Sequence, residues 1–368
     1  MIDKKYLLEL PDNVINYLNK LEKEKHYKYF PSINGLTRNG EFLELGFSTY
    51  ALKIYFMTSR WEDLSPEKKD EWINYINSFQ VNIKNLPANS FVDKNLLQGY
   101  NNLPKKEDLK YLVKSILNTL PNKSFDTKRI AVEKAVNAET KQAISTLYEV
   151  GSKNIRTLEN SFKDEGSLSL YLGSLDWSKP WSAGAQFSSI CVYTKTQNFL
   201  LDVSLNEFIV KKLNMETGSY HEKNVTDSRE IINGAMKVIT GLDWLNAEIH
   251  HPKKLIDFCL ANVPKLEGCD IVDFIYVLYK CSKQVNYKKN EINDLFKDLL
   301  DQIMKLYVKD EGGFSYFYNK SQTHYYGVQI TEGIKQADIH GTTLCLWALL
   351  MILDSLEIQE KNMNIIKP

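Results

Sequence analysis

The sequence predicts an all-α protein in which apolar helices form an inner ring and amphipathic helices surround it. The two kinds of helical segment alternate along the chain, and turns that join glycine to an aromatic residue precede several of the apolar ones. Repeated helical hairpins of this kind either close into a ring or continue as an open solenoid. A closed ring needs no polar capping repeat, and the last helical segment is among the most apolar. The pattern therefore favours a closed α/α toroid.

The inner helices are predicted from segments that are apolar on every side. A helix without a polar face is buried on every side. These segments span residues 47–57, 183–194, 233–242, 271–281 and 342–353. We expect them to line a central cavity.

The outer helices are predicted from segments with the 3.6-residue apolar period of a helix that has one wet face. They span residues 66–80, 106–120, 199–213, 251–263 and 290–308. Each follows or precedes an apolar segment, as a helical hairpin requires.

The chain has no convincing linker, because its 10 prolines are scattered and no segment is of low complexity. We therefore predict a single toroid over residues 41–368, with residues 1–40 as an appended helical segment. The stretch that begins with EGGFSYF and ends at residue 337 has the turn chemistry of a β-hairpin. It is predicted to be a short hairpin-like insertion, near 311–337, over the mouth of the cavity.

Composition limits the class of partner. Lysine plus arginine (46) equals aspartate plus glutamate (46), which argues against a nucleic-acid or anionic-membrane binder. The 5 cysteines show no CxxC spacing, as in reduced cysteines of a cytosolic protein. The start lacks a secretory pattern, and the longest apolar run is too short to span a bilayer. We expect a cytoplasmic protein with a small-molecule partner and no membrane span.

The segment EGGFSYF followed by DIHGTTLCLWAL resembles the protein prenyltransferase β-subunits and the terpenoid (squalene-type) cyclases. Residues 64–80, LSPEKKDEWINYINSFQ, look like an outer helix of that superfamily. The resemblance runs over residues 40–355 as a repeat pattern. It implies a toroid that takes an apolar, isoprenoid-type molecule, and it places His340 where prenyltransferases carry a zinc ligand.

The sequence departs from the motifs of that superfamily. Prenyltransferases carry an Asp-x-Cys pair one repeat before the histidine, whereas this chain has Cys269, Asp270 and Asp273 in the stretch EGCDIVDF. The DxDD and DDxxD motifs of the cyclases and synthases are absent. From the resemblance, a metal site would use His340, Asp270 and Cys269, with Zn²⁺ or Mg²⁺ as the ion.

A second resemblance involves WSAGAQFSSICVYTKTQNFL and INGAMKVITGL. These segments are similar to the helical domains of carbohydrate-active toroids such as uronyl C5-epimerases. This resemblance implies a saccharide ligand and epimerase, lyase or hydrolase chemistry.

The catalytic candidates lie where inner helices begin. In a toroid these helix ends converge at one mouth of the cavity, where the helix dipole is positive. Asp270 and Asp273 share a helix face, and Asp338 and His340 open the last apolar helix. Carboxylates and an imidazole can hold a metal or act as general acid and base. Helix capping is the alternative for Asp270, whereas a buried carboxylate such as Asp273 is costly without a role.

The substrate-binding candidates form two groups. The residues of one group open inner helices. Those of the other lie in the long loop, where they could form a lid or a wall over the cavity, or a hairpin that packs its own aromatics together. The candidates are Trp181, Gln186 and Asn233 in the first group, and His324, Tyr325 and Tyr326 in the second.

Three functions fit this sequence. The first is a transferase or cyclase that binds an isoprenoid-type molecule and uses metal or acid–base chemistry at the cavity mouth. The second is a carbohydrate-active toroid, an isomerase, lyase or hydrolase. The third is a non-catalytic interaction protein with a protein partner.

Overall fold

A computed structural model describes residues 4–120, 125–162, 164–265, 267–358 and 363–368. These residues form fifteen α-helices and six short strands in three antiparallel pairs. The helices are α1 (Lys4–Leu21), α2 (Arg38–Phe42), α3 (Leu45–Met57), α4 (Pro66–Asn77), α5 (Lys94–Asn101), α6 (Lys105–Leu117), α7 (Lys128–Glu149), α8 (Glu165–Ser174), α9 (Pro180–Thr196), α10 (Asp202–Val210), α11 (Ser228–Leu245), α12 (Pro252–Ala261), α13 (Cys269–Gln284), α14 (Lys289–Met304) and α15 (Ile339–Ser355). The strands are β1 (Gln80–Val81), β2 (Ser90–Phe91), β3 (Tyr307–Val308), β4 (Gly313–Phe314), β5 (His324–Tyr325) and β6 (Val328–Gln329).

Six helices, α3, α7, α9, α11, α13 and α15, form a closed inner ring. Each one contacts the next in chain order, and α15 contacts α3. The predicted α/α toroid is therefore confirmed, and it is closed rather than an open solenoid.

The inner helices run in the same direction, as close contacts between α9 and α11 show. A Cβ on Gly234, early in α11, would lie 2.6 Å from the Cβ of Pro180 at the start of α9. Two turns later, a Cβ on Gly241 would lie 2.9 Å from the sulfur of Cys191. Helix starts face helix starts at other contacts as well: Asn233 of α11 donates a hydrogen bond to Asp270 of α13, and Tyr50 of α3 stacks on His340 of α15. The ring thus has an N-terminal end and a C-terminal end.

The five apolar segments all lie within inner helices, as predicted. The sixth inner helix, α7, is not apparent in the sequence because its sides differ in polarity. Ala143 and Leu147 are buried in the core, whereas Lys141, Gln142 and Ser145 line the cavity. A search for helices that are apolar on every side misses such a helix.

The outer helices bury one face only. α4, α12 and α14 pack on the outside of α3, α13 and α15. The predicted helix 290–308 is too long, because α14 ends at Met304 and the chain then turns into β3. The turn to β4 uses Gly312, whose φ of 92° suits glycine.

The insertion contains the predicted hairpin. β5 pairs with β6 through a turn in which Tyr326 and Gly327 both have positive φ, 43° and 85°. Two central residues with positive φ match the twist of a tight hairpin. β4 pairs with the preceding strand, β3, rather than with a later one. The hairpin-like segment therefore begins at Tyr307, slightly before the predicted residue 311.

The N-terminal segment packs against the ring. Val14, Tyr17 and Leu18 of α1 are fully buried in the same core as the inner helices. The boundary at residue 40 stays a prediction, and residues 1–3 lie outside the described part of the chain. Within that part, no helix has both the length and the apolar character that a bilayer crossing requires.

Candidate functional site

The centre of the ring holds a cavity of about 730 Å³. All six inner helices contribute to its wall, together with the hairpin insertion and residues near the end of the chain. Lys179, which is exposed, lines it beside Trp181 at the start of α9. The mouth therefore lies at the N-terminal end of the ring.

Three lysines face this cavity from three different helices. Lys53 belongs to α3, Lys141 to α7 and Lys237 to α11. Lys53 is only 8% exposed, and burial lowers its pKa to about 8, with Lys237 adding to the effect. Burial also lowers the pKa of Lys141 well below its usual value, and the charges of Lys237 and Lys53 lower it further. The three ammonium groups repel one another in a poorly hydrated space.

Two carboxylates in the cavity lining oppose this charge, those of Asp273 and Glu230. Glu230 accepts a hydrogen bond from the N–H of Trp181, whereas Asp273 lies deeper in the wall. Asp273 is 1% exposed, and neither carboxylate oxygen accepts a hydrogen bond from the described residues. The Nζ of Lys237 lies 3.7 Å from Oδ1, which is an ion pair too long for a hydrogen bond. Burial raises the pKa of Asp273 to about 6, although Lys237 acts in the opposite direction. The carboxylate is thus available to a ligand.

His340 is held between two aromatic rings in the first turn of α15. Its ring stacks on Tyr50 at 4.5 Å and 15°, and it lies 5.1 Å from the ring of Tyr316. The Nδ1 atom is buried and has no hydrogen-bond partner among the described residues. Burial and then the charges of Lys53 and Lys237 lower the pKa of His340 to about 3. The imidazole is therefore neutral at pH 7.

Tyr325 and Tyr326 of the hairpin line the cavity, and their rings also pack on each other, with centroids 4.4 Å apart. The hydroxyl of Tyr325 donates to Oε1 of the buried Glu139 at 3.2 Å. It also fills the space beside Gly46, where any side chain would overlap it. The hydroxyl of Tyr100 donates to the main-chain oxygen of Tyr326. These contacts fix the hairpin over the ring.

Seven of the predicted residues meet at the cavity. They are Asp273, His340, Cys269, Trp181, Gln186, Tyr325 and Tyr326. Gln186 is oriented by the side chain of Asn137, whose Nδ2 donates to its Oε1 at 2.7 Å.

Asp338 lies behind the wall rather than in it, and the cavity-mouth role predicted for it has no support from its position. Its Oδ1 accepts from the N–H of Gly341 at 2.7 Å, as an N-cap of α15. Its Oδ2 accepts from the N–H groups of Tyr316 and Gln322. Both oxygens thus tie the insertion to the last inner helix. Burial raises the pKa of Asp338 to about 7, against these hydrogen bonds.

Asp270, Asn233 and His324 do not line the cavity either. Asn233 donates from Nδ2 to Oδ1 of Asp270 at 2.7 Å, and Arg229 lies 4.0 Å from the other oxygen of that carboxylate. His324 is exposed on β5, where its Nδ1 lies 3.0 Å from the hydroxyl of Thr323.

The residues expected to hold Zn²⁺ or Mg²⁺ do not fit that role. Within the described ranges, no three His, Cys, Asp or Glu side chains are grouped as a metal site. Cys269 instead lies 3.1 Å from the Tyr316 hydroxyl, and burial raises the pKa of its thiol to about 11. Asp270 is engaged by Asn233.

Sequence reasoning missed the three lysines, together with Tyr50 and Tyr316. A signal was available for two of them: FSTYALKIYFM and NGAMKVITGL each carry one lysine inside an otherwise apolar helix. A lysine that must be buried on every side needs a partner or a cavity.

Comparisons with known proteins give little further information. No family model matches the chain, and no curated protein matches it. Among solved structures, it is similar to a polysaccharide lyase at 13% identity and a TM-score of 0.44, over 96% of this chain and 99% of that one. A similarity at this level does not bear on function.

Proposed function

We propose that the protein binds a saccharide that carries carboxylates, such as a chain of uronic acids, and cleaves it by β-elimination. The observation that carries this proposal is the convergence of Lys53, Lys141 and Lys237 on one enclosed cavity.

The charge of the cavity favours an anion. With every group ionised, four ammonium groups (Lys53, Lys141, Lys179 and Lys237) and two carboxylates (Asp273 and Glu230) line the cavity, a net charge of +2. Buried like charges are unfavourable, and a bound carboxylate would offset their repulsion. The depressed pKa values of Lys53 and Lys141 reflect the cost of holding this charge without such a ligand.

The rest of the wall suits a sugar. The cavity volume of about 730 Å³ lies within the usual range for small-ligand sites, and both aromatic and polar side chains line the cavity. Aromatic faces pack on the C–H faces of sugar rings, and amides and hydroxyls bond to sugar hydroxyls. The aromatic residues are Tyr50, Trp181, Tyr316, Tyr325, Tyr326 and Trp347, and the polar ones include Gln142, Ser145, Gln186 and Ser189.

An isoprenoid ligand, the first of the three predicted functions, has less support. Its hydrocarbon chain offers no polar partner to the buried ammonium groups and carboxylate, and burying such groups without a partner is costly. An anionic saccharide offers oxygen atoms to the same groups.

The arrangement suits elimination from a uronate. The lysines would neutralise the carboxylate and stabilise the charge that develops on it when the proton on the neighbouring carbon is removed. His340, neutral at pH 7, is the proposed base. A bound carboxylate offsets the lysine charges and so raises the pKa of His340 from its low value of about 3.

The remaining electrons form the carbon–carbon double bond as the bond to the glycosidic oxygen breaks. That oxygen needs a proton. Tyr50 is the proposed donor because it stacks on His340 and burial raises its pKa, so that it keeps its proton until it is required.

The test is to incubate the protein with uronate polymers and with a neutral glucan, and to follow ultraviolet absorbance of unsaturated ends. We expect product from a uronate polymer only. The variants Lys237→Met and His340→Asn should abolish it, whereas Lys297→Met, on the exposed face of α14, should not. Turnover of the neutral glucan, or full activity in Lys237→Met, would overturn the proposal. Binding without turnover would leave only the saccharide-binding part of it.

A further inference from the structure

The last described residues, 363–368, lie across the C-terminal end of the ring. The N–H of Asn364 donates to the carbonyl of Met57 at 3.0 Å, at the end of α3. The N–H of Lys367 donates to Oε1 of Glu149 at 2.6 Å, at the end of α7. Two inner helices thus hold this segment, which we call the tail segment.

A third inner helix holds its far end. The indole Nε1 of Trp244, near the end of α11, donates to the carbonyl oxygen of Pro368 at 2.7 Å. The ammonium group of Lys367 lies 4.9 Å above the same indole ring. The tail segment is therefore anchored at three points around the ring, through main-chain groups at each point.

The side chains of the tail segment face inward. Ile366 is 4% exposed and packs in the main core, and both Ile366 and Pro368 line the central cavity. Because the inner helices run in the same direction, the tail segment lies at the end opposite the mouth. It is the floor of the cavity.

We infer that the tail segment closes a channel through the toroid into a blind pocket, so that the site accepts the end of an anionic saccharide chain rather than its interior. This inference rests on the proposed function. A polymer can pass through an open channel and be cut anywhere, whereas a closed floor admits only the residues at one end. The protein should then release short products stepwise from chain ends.

The test compares the intact chain with a variant that lacks residues 363–368 and with Trp244→Phe, which removes one anchor. The matched control is Trp72→Phe, since the indole of Trp72, on the outer helix α4, donates to Ser48 and neither residue lines the cavity. For each protein, the fall in viscosity of a uronate polymer is plotted against the number of unsaturated ends formed.

The intact chain and Trp72→Phe should form many ends before viscosity falls. The deletion should lower viscosity at several-fold fewer ends, and Trp244→Phe should lie between. Early loss of viscosity with the intact chain, or an unchanged curve for a folded deletion variant, would overturn the inference.

Failure of the proposed function looks different, because no protein then forms unsaturated ends. In that case, calorimetry on long uronate chains decides about the tail segment. If one molecule of the intact protein binds per uronate polymer, and several molecules of the deletion variant do, the result supports the tail segment as the floor of the cavity. Equal stoichiometry for both proteins, or no binding by either, overturns it.

Discussion

Asp273 should make the protein less stable as pH rises, and replacing it with asparagine should remove that effect. Burial raises its pKa from 3.8 to about 6, since no described residue donates a hydrogen bond to the carboxylate. The folded state therefore holds this proton more tightly than the unfolded state does. The stability that protonated Asp273 contributes is fully present below pH 3.8 and is lost as pH rises through about 6.

The magnitude follows from the pKa change. Each pKa unit corresponds to about 1.4 kcal/mol, so ionising Asp273 costs about 3 kcal/mol at pH 8. Asparagine has the shape of the protonated carboxyl and cannot ionise. Asp273→Asn should therefore match the wild type near pH 4 and exceed it by about 3 kcal/mol near pH 8.

Urea unfolding at several pH values between 4 and 8 provides the measurement. Asp338 and Glu149 also have raised pKa values, about 7 each, so the wild type alone would not isolate Asp273. The difference between variant and wild type does so. Asp294→Asn, an exposed carboxyl on α14, is the control and should give a difference near zero at every pH. If the difference in unfolding free energy between Asp273→Asn and the wild type does not change with pH, or favours the wild type at pH 8, Asp273 is not a buried, unpaired carboxylate.

Three further predictions concern other parts of the site. Because the pKa of His340 is about 3, its ring should stay neutral at pH 5 in a nuclear magnetic resonance titration, and titration near 6.5 would contradict the buried, lysine-flanked position. Gly46→Ala should lower the unfolding free energy by about 1–3 kcal/mol by displacing Tyr325, whereas Gly173→Ala, which has open space around it, should change it little; equal effects on melting would argue against the docked hairpin. Lys53→Met should raise the unfolding free energy at pH 7 by up to about 3 kcal/mol, because burial lowers the pKa of Lys53 from 10.5 to about 8, and it should weaken uronate binding. A lower unfolding free energy for this variant in urea would argue against a buried charge at Lys53.

The sequence by itself determined five of the six helices that form the ring. A helix enclosed by neighbours must be apolar on all sides, and that requirement is visible in segments such as 342–353 without any knowledge of the partners. It also indicated a hairpin at the glycine–aromatic turn at 312–314, which joins β3 to β4. Five of the seven predicted site residues that reached the cavity did so for the same reason: they lie in the first two turns of inner helices, where a toroid brings helix ends together. The other two, Tyr325 and Tyr326, reached it through the hairpin.

Helix α7 and its lysine escaped detection because a residue that faces a cavity looks like one that faces solvent. Lys141 and Gln142 resemble an exposed polar face in the sequence, since polarity records contact with water or ligand but not where that contact occurs. Asp338 shows the converse error. An aspartate before a helix reads equally as a cap or as a catalytic group, and only its three backbone donors distinguish the two.

The tertiary structure alone decided the charge of the cavity and the closure of its floor. Lys53, Lys141 and Lys237 are far apart in the chain, and the bond between Trp244 and Pro368 joins residues 124 positions apart. Local patterns constrain neighbours within a turn or two, through backbone hydrogen bonding and the helical period. Which side chains meet across the ring depends on how the helices close around it, and that is a property of packing.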